Sequence, residues 1–444
     1  MYEIIIGRDQ EQRRKLGLKG TILIGKSYVQ MGNTHSLANN VYLDIASSHV
    51  VYVCGKRGSG KSYTLGVIAE GIASISKEIA QNLSVIILDT MGIYWTMKYP
   101  NKKDKNLLEK WELKPEGFKQ VRIYVPKGFY EEEKKQGVPV DYEFSINPMD
   151  LNSEDWLELF GIDQDSEIGV LISEIVSKKK QEGKSYDIDG LIAAIKQNKD
   201  FEEEVKRAAI ARFNNVKLWG LFSKKATSIE EIARPGQITI IDISCYSSMP
   251  NGWTIKSLVV GLVAEKLFLQ RMHARKIEEF KELEHEMHEF SKKGLQKQRY
   301  PLVWLFLDEA HEFLPRDYTT LASKPLITVL REGRQPGISL VLATQQPGKI
   351  HTDVITQSDI VISHRVTAQV DVKALEALTQ TYMQESLVQS IDKLPREKGA
   401  AVVFDDTNER LFALRIRPRI TWHGGSSPVA VHEETTSESI FDEE

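Results

Sequence analysis

The sequence predicts an α/β fold in which helices cover a mostly parallel central sheet. Seven short apolar runs recur along the chain, and most are continuous rather than alternating, which is typical of strands buried on both faces. They lie at 49–55, 84–89, 121–126, 238–244, 302–308, 338–345 and 359–366. Segments of helical period, such as 62–75 and 254–269, separate several of these runs and suit the crossovers between parallel strands.

Other regions depart from this pattern and divide the chain into five predicted parts. A short N-terminal β region, reduced and barrel-like, is expected at 1–48, because Gly and Asn separate three strand-like pieces there. The first part of the core follows at 49–148. A helical insertion, rich in charge and in helix formers, is expected at 149–235. The second part of the core is 236–424, and the acidic residues 425–444 predict a disordered tail.

Length and composition bound the class of protein. The 444 residues, of which 41% are hydrophobic, are enough for a substantial core and exclude a disordered or disulfide-stabilised chain. A formal net charge of −4 means that any binding to nucleic acid must come from a local basic surface. Two cysteines, Cys54 and Cys245, and an N-terminus without an apolar signal core predict a reducing, cytoplasmic setting. No stretch is apolar over the roughly 20 residues of a membrane span.

The strongest motif is GKRGSGKS at 55–62, which fits the Walker A pattern between an apolar strand and a helical segment. Backbone N–H groups of such a loop point at phosphates, and the following helix N-terminus favours negative charge. We therefore predict that ATP binds here, with Lys61 on the β- and γ-phosphates and Ser62 on Mg²⁺. The predicted nucleotide-binding residues are Gly55, Arg57, Gly58, Ser59, Gly60, Lys61, Ser62 and Tyr63.

A metal ion at Ser62 also needs a carboxylate from a neighbouring strand end, and three strands end in Asp: Asp89, Asp242 and Asp308. Only Asp308 is followed by Glu. We predict that Asp308 holds Mg²⁺, largely through water, and that Glu309 polarises the attacking water. Asp89 and Asp242 are more simply explained as caps of strand ends, although contact with the ligand stays open for both. Because strands separate Lys61 from Asp308, the order indicates the P-loop class that carries an extra strand and hydrolyses ATP.

A further polar group lies in LREGRQPGISLVLATQQPG, from 330 to 348. Gln345 ends an apolar strand, where a polar side chain could sense the γ-phosphate or position water. Arg331 and Arg334 precede the strand, and an Arg beside the sheet could reach a nucleotide bound by a neighbouring subunit. Such an Arg stabilises the charge that develops in the transition state.

Several ordered blocks resemble the HerA-like branch of the HerA/FtsK superfamily of ring-forming P-loop ATPases. The blocks are HVVYVCGKRGSGKS, VIILDTMGIYW, GLFSKKATSIEEIARPGQITIIDIS, DEAHEFLP, LREGR, LVLATQQP, QSDIVISHRV and RPRITWHGG. The resemblance implies a RecA-like core and a homohexamer that binds ATP and Mg²⁺ between subunits and pumps double-stranded DNA, often with a nuclease partner. It also implies that Glu309, Arg334 and Gln345 are catalytic, with Arg334 acting in trans and Arg331 the less favoured finger.

The chain departs from the family pattern in three places. Fewer than 50 residues are available for the N-terminal barrel, Ile93 stands where Glu is frequent, and Gln346 stands where Arg is usual. These departures affect partner docking and DNA engagement and leave the hydrolytic residues in place. They slightly favour an alternative function, an ATP-controlled ring scaffold that activates an effector nuclease or defence protein with little translocation.

Two other motifs and two basic clusters have simpler explanations than a functional site. The DEAH box at 308–311 belongs to a different helicase superfamily, but those enzymes need a second RecA-like domain, for which too few residues follow. The segment 284–288, EHEMH, lacks the His pair at i and i+4 of a zinc protease, so no zinc site is predicted. The clusters at 102–105 and 178–180 are candidates to line a DNA channel, although solvated surface explains both more simply.

Overall fold

The computed structural model describes residues 3–31, 34–287, 300–376 and 387–425, and the strands within these ranges form a single sheet. The predicted tail from 426 onward, residues 288–299 and the side chains of 284–287 lie outside the described residues. The strands are β1 (Ile4–Ile6), β2 (Thr21–Met31), β3 (Thr34–Asp44), β4 (Val50–Cys54), β5 (Leu83–Asp89), β6 (Val121–Pro126), β7 (Tyr142–Phe144), β8 (Ile238–Asp242), β9 (Leu302–Leu307), β10 (Ile338–Thr344), β11 (Ile360–His364), β12 (Ala400–Asp405) and β13 (Arg410–Ile416).

The sheet has a parallel half and a mixed half. Its strand order is β1-β3-β2-β13-β12-β11-β4-β10-β9-β5-β8-β6-β7. Every pairing from β11 to β7 is parallel, whereas β11 to β3 are joined through antiparallel pairs. The predicted α/β class with a mostly parallel sheet is thus confirmed, and all seven predicted core strands are present. Strands β7, β12 and β13 were not predicted.

The parallel strands are buried on both faces, which explains why their sequences are continuously apolar. All seven residues of β5 are buried. Ile86 and Leu88 belong to the hydrophobic core on one face, and Val85 and Ile87 belong to the core on the other. Successive side chains of a strand point to opposite faces of the sheet, so they pack in the two cores alternately.

Helices lie on both faces of this sheet. They are α1 (Gln10–Leu16), α2 (Lys61–Ala73), α3 (Lys77–Ala80), α4 (Lys105–Lys110), α5 (Tyr130–Lys135), α6 (Ser153–Phe160), α7 (Glu167–Gln181), α8 (Ile188–Gln197), α9 (Glu203–Lys217), α10 (Ile229–Ile232), α11 (Gly252–Met287), α12 (Ser323–Glu332), α13 (Thr352–Gln357), α14 (Gln369–Glu376) and α15 (Leu387–Asp392). In the described part of the chain, none of them combines the length and the apolarity needed to cross a bilayer.

The region predicted as an insertion is helical and contains α6 to α10. Its centre is aromatic: Trp156 is fully buried and packs edge-on against Phe213, with 5.1 Å between the ring centroids. Residues of these helices share one hydrophobic core with α11 and one face of the sheet. The proposed boundaries between the five parts of the chain stay a prediction.

The three N-terminal strands extend the central sheet, and a buried polar network joins them to it. His49, just before β4, contacts Asp359 through Nδ1 (2.6 Å) and Asp44 of β3 through Nε2 (3.1 Å). Arg8 also pairs with Asp44. Burial alone lowers the pKa of His49, but the two carboxylates outweigh it and raise the pKa to about 9. A charged imidazolium between carboxylates therefore ties the N-terminal strands to the core.

Candidate functional site

The Walker A residues form the loop between β4 and α2, at the carboxyl edge of the parallel strands. The loop closes through Gly60, whose φ of +114° lies in a region that other residues rarely adopt. Helix α2 then begins at Lys61, so its first backbone N–H groups face the loop without intrahelical partners. This is the arrangement that binds phosphate at a helix N-terminus.

The side chains of Lys61 and Ser62 point into the same edge of the sheet. Lys61 is only 6% exposed, and its Nζ donates to the backbone oxygen of Lys56 (3.3 Å). Burial lowers the pKa of Lys61, and the carboxylates of Glu309 and Asp308 oppose that effect. The Lys61 ammonium therefore lies within electrostatic reach of both acidic residues.

The Ser62 hydroxyl meets the predicted metal carboxylate directly. Ser62 Oγ donates to Asp308 Oδ2 at 2.5 Å, although 246 positions separate the two residues in the sequence. The contact arises because β9, which Asp308 follows, lies two strands from β4 with β10 inserted between them. Parallel pairing brings all three carboxyl ends to one edge.

Glu309 lies beside Asp308 in an unusual backbone conformation. Its φ is +51°, which turns the chain sharply after β9, and its backbone N–H donates to Asp308 Oδ1 (2.9 Å). Burial and the Asp308 charge raise the pKa of Glu309 to about 7, although Lys61 and the backbone N–H of Gln345 oppose the shift. A carboxylate with a pKa near neutrality suits a general base.

The residues fit a hydrated divalent cation and a phosphate. The hydroxyl of Ser62 and the carboxylate of Asp308 are the hard oxygen ligands that Mg²⁺ prefers. Within the described residues, Ser59 Oγ and Glu309 Oε2 are buried and make no hydrogen bond. Buried polar atoms normally have partners, so these two indicate that a polar ligand or water belongs here.

The other two strand-end aspartates do not hold Ser62. Asp89, at the end of β5, accepts hydrogen bonds from the backbone N–H groups of the next turn, those of Met91, Gly92, Ile93 and Tyr94, at 2.8–3.1 Å. The turn directs the Tyr94 hydroxyl toward Asp308 Oδ2 (3.4 Å). Asp89 thus organises a loop that contacts the metal carboxylate, and sequence reasoning missed Tyr94.

Asp242 lies opposite Asp89 in the register of β5 and β8. Burial raises the pKa of both carboxyl groups, and the nearby charge of Asp242 raises the pKa of Asp89 further. Lys256 of α11 is nearby and almost fully buried, and its Nζ donates to the backbone oxygen of Thr90 (2.9 Å). These contacts are structural, so neither Asp89 nor Asp242 shares the Ser62–Asp308 contact.

The remaining predicted residues lie in different places. Arg57 and Arg334 are exposed. Tyr63 directs its hydroxyl away from the loop to accept a hydrogen bond from the Arg419 N–H (2.6 Å). Arg331 forms an ion pair with Asp353 (2.6 Å), and Gln345 contributes its backbone to the environment of Glu309. The functional roles of these residues stay predictions.

The Walker A loop and helix are supported by two segments that carried no predicted role. His364, at the end of β11, contacts Thr64 of α2 through Nε2 (2.8 Å) and the Ala400 oxygen through Nδ1 (3.1 Å). Glu70 of the same helix is fully buried and holds Arg419 (2.8 Å), Ile420 N (3.0 Å) and Thr421 Oγ1 (2.5 Å). The block RPRIT at 417–421 therefore anchors the far end of the chain to the Walker A helix.

The comparisons with known proteins agree with the motifs. The family model described as "Helicase HerA, central domain" matches residues 27–260, which is more than half of the chain. A second model, described as zonular occludens toxin (Zot), matches 251–393. The predicted family resemblance is thereby confirmed.

Two curated relatives and one solved structure are similar to the chain. It is 23% identical over 380 residues to the DNA double-strand break repair helicase HerA of Pyrococcus furiosus, covering 77% of this chain and 61% of that protein. It is 27% identical over 168 residues to the probable DNA double-strand break repair helicase HerA of Methanocaldococcus jannaschii, covering 36% and 32%. VirB4 of Thermoanaerobacter pseudethanolicus has the same fold, with a TM-score of 0.51, 12% identity, and coverage of 89% and 96%. The matched residues thus span 61% and 32% of the lengths of these two curated relatives.

Proposed function

Since the chain belongs to the HerA family of P-loop ATPases, we propose that it is an ATP-hydrolysing hexameric motor that moves double-stranded DNA, with a nuclease as partner. The observation that carries the proposal is the Ser62–Asp308 hydrogen bond, which joins the Walker A helix to the acidic couplet. Two free cysteines support a reducing, cytoplasmic location.

Different residues of the site bind the phosphates, hold the metal ion and activate the attacking water. The loop N–H groups and Lys61 bind the phosphates of ATP, and Ser62 and Asp308 would hold Mg²⁺. When bound, that ion neutralises phosphate charge. Glu309 orients the attacking water and accepts its proton, a role for which a pKa near 7 is suited. Burial of these groups limits the access of other water.

The position of Arg334 supports the proposed assembly into a ring. The residue precedes β10, whereas the phosphate loop lies at the opposite, carboxyl edge of the sheet. Seven strand residues span roughly 20 Å, so Arg334 is remote from the phosphates bound by its own subunit. We infer that it reaches the nucleotide of a neighbouring subunit.

Mixed rings test this inference. Arg334→Ala subunits keep an intact Walker A loop, and Lys61→Ala subunits keep an intact Arg334, so a mixture should regain part of the activity that each variant lacks. Arg331→Ala is the matched control and should retain turnover, because Arg331 is paired with Asp353. Failure of the mixture at every ratio would assign Arg334 a role within its own subunit or none.

The motor and the scaffold give different responses to DNA. A translocase should hydrolyse ATP faster when a long duplex is added, and the stimulation should fall steeply with salt because phosphate contacts release counterions. The departure at Ile93 slightly favours the alternative, a ring whose ATP state organises an effector nuclease or defence protein. If DNA leaves the rate of ATP hydrolysis unchanged at every salt concentration but a co-purified protein changes it, the result would contradict the motor and support the scaffold.

A further inference from the structure

His311 occupies a central position beside the acidic couplet, although no role in hydrolysis was predicted for it. It follows β9 at the fourth position of the DEAH box and is only 6% exposed. Its Nδ1 lies 3.0 Å from Thr344 Oγ1 and 3.5 Å from Glu309 Oε2. Its Nε2 lies 3.0 Å from the Gln346 amide nitrogen and 3.3 Å from Glu312 Oε1. One ring thus connects Glu309 with the end of β10.

Each ring nitrogen has polar neighbours. The Gln346 amide nitrogen is placed to donate to Nε2, which also lies 3.3 Å from Glu312 Oε1, and in that assignment the proton is on Nδ1, on the side of Thr344 and Glu309. Burial, with Lys349 and Lys61, lowers the pKa of His311 to about 4, so the ring stays neutral at physiological pH. A neutral donor can restrain the Glu309 carboxylate without neutralising it.

Glu309 has few other restraints on that side. Its Oε2 is buried and makes no hydrogen bond among the described residues, and His311 Nδ1 lies 3.5 Å from it, just beyond an ordinary hydrogen bond. The position of the His311 ring is also held from β10, because Thr344 Oγ1 contacts Nδ1 and accepts a hydrogen bond from the Gln346 backbone N–H (3.1 Å). The geometry therefore provides a connection from the end of β10 through the ring to Glu309.

We propose that His311 is a positioning residue that orients Glu309 for hydrolysis and links it to the segment that follows β10. The proposal rests on the proposed ATPase function and adds a residue to it. His311 also lines a cleft of about 150 Å³ with Arg316, Gln346 and Lys349. A change in the position of Gln346 reaches Glu309 through its contact with the ring. Within this connection, His311 acts through Glu309 and does not touch the nucleotide.

Steady-state kinetics on the full-length chain test the proposal with two substitutions of one residue. His311→Leu removes the donor and should lower kcat by about 10- to 100-fold, the scale of a misplaced catalytic group, with the KM for ATP within twofold of wild type. His311→Asn places an amide N–H near the position of Nδ1 and should recover at least a third of the wild-type kcat. Gln346→Leu, which removes only the outer hydrogen bond, should lower kcat about threefold. His273→Leu, at an exposed position of α11, is the matched control and should match wild type.

The outcomes separate this proposal from the proposed function. Wild-type protein that hydrolyses no ATP contradicts the ATPase itself. Active wild type with an equally active His311→Leu variant overturns the positioning role. A fall in kcat that His311→Asn does not rescue, or one that comes with a raised KM and weaker binding of a fluorescent ATP analogue, assigns His311 to folding and also overturns it. Loss of kcat alone, with rescue by Asn, supports it.

Discussion

Two pairs of carboxylates lie at one edge of the sheet, at the ends of three adjacent strands, and they differ in their main contacts. Asp308 accepts from the Ser62 hydroxyl, the Lys61 ammonium lies within electrostatic reach of Asp308 and Glu309, and Glu309 Oε2 is buried without a hydrogen bond among the described residues. Asp89 and Asp242 face backbone N–H groups. The first pair has donors that a ligand can replace, whereas the second pair has donors that fix a loop.

The position of an aspartate at a strand end therefore does not by itself define its role. A carboxylate saturated by backbone N–H groups cannot take up a ligand without breaking its own turn. Asp89 accepts N–H groups on both oxygens, so it has no free face for a metal ion. Three predictions test this distinction, from the largest effect to the smallest.

The largest effect is expected for Glu309→Gln, which keeps the shape of the side chain and removes the proton acceptor. Turnover should fall on the order of 10²- to 10⁴-fold, because that is the contribution of a positioned general base. Affinity for a fluorescent ATP analogue should stay within about threefold of wild type, since the phosphate-binding groups are intact. Steady-state hydrolysis and binding titrations measure both, and a variant that still turns over would remove Glu309 from its role.

Asp89→Asn should lower the free energy of unfolding and leave nucleotide binding intact. The amide can accept through only one atom, so about two of the four N–H groups lose their partner, at about 1–3 kcal/mol each. The free energy of unfolding, measured in urea, should fall by about 2–6 kcal/mol. Nucleotide binding by the remaining folded protein should persist. A variant of unchanged stability that loses nucleotide binding would instead make Asp89 part of the ligand site.

Asp242→Asn should have the smallest effect, which is a change in pH dependence. Burial and then Asp242 raise the pKa of Asp89 from 3.8 to about 7, so the folded protein retains a proton that the unfolded chain releases in this window. Stability therefore falls as pH rises from about 4 to 7. Removing the Asp242 charge should weaken the fall by on the order of 1 kcal/mol, one pKa unit. Urea unfolding at pH 5 and pH 8 measures it, and an unchanged slope would show that the two carboxylates do not interact.

The sequence was sufficient for the parallel half of the sheet except the short edge strand β7, and less so for the mixed half. The seven strands of the core are buried on both faces, and continuous apolar runs identify them without knowledge of their partners. Strands β12 and β13 were missed, although AAVVFD is as apolar as the others. Their antiparallel hairpin follows a polar stretch that gives no periodic signal, and β13 is only partly buried along most of its length.

The site shows a similar division. Spacing and residue type predicted that Lys61, Ser62, Asp308 and Glu309 share one site, and the structure brings these residues to one edge of the sheet, while their roles stay predictions. Tyr94, His311 and His364 could not be identified in this way, since their roles depend on which strands lie side by side. Only the order β4-β10-β9 brings the end of β10 to the acidic couplet.

The long separation between Ser62 and Asp308 has a consequence for synthesis. A ribosome that has released only the helices up to α10 has already produced the complete Walker A loop, yet the acidic couplet has not been translated. Such a nascent chain carries phosphate-binding groups but cannot split ATP. Turnover by the proposed mechanism therefore requires β9 in place between β10 and β5, so it depends on the part of the chain that is translated later.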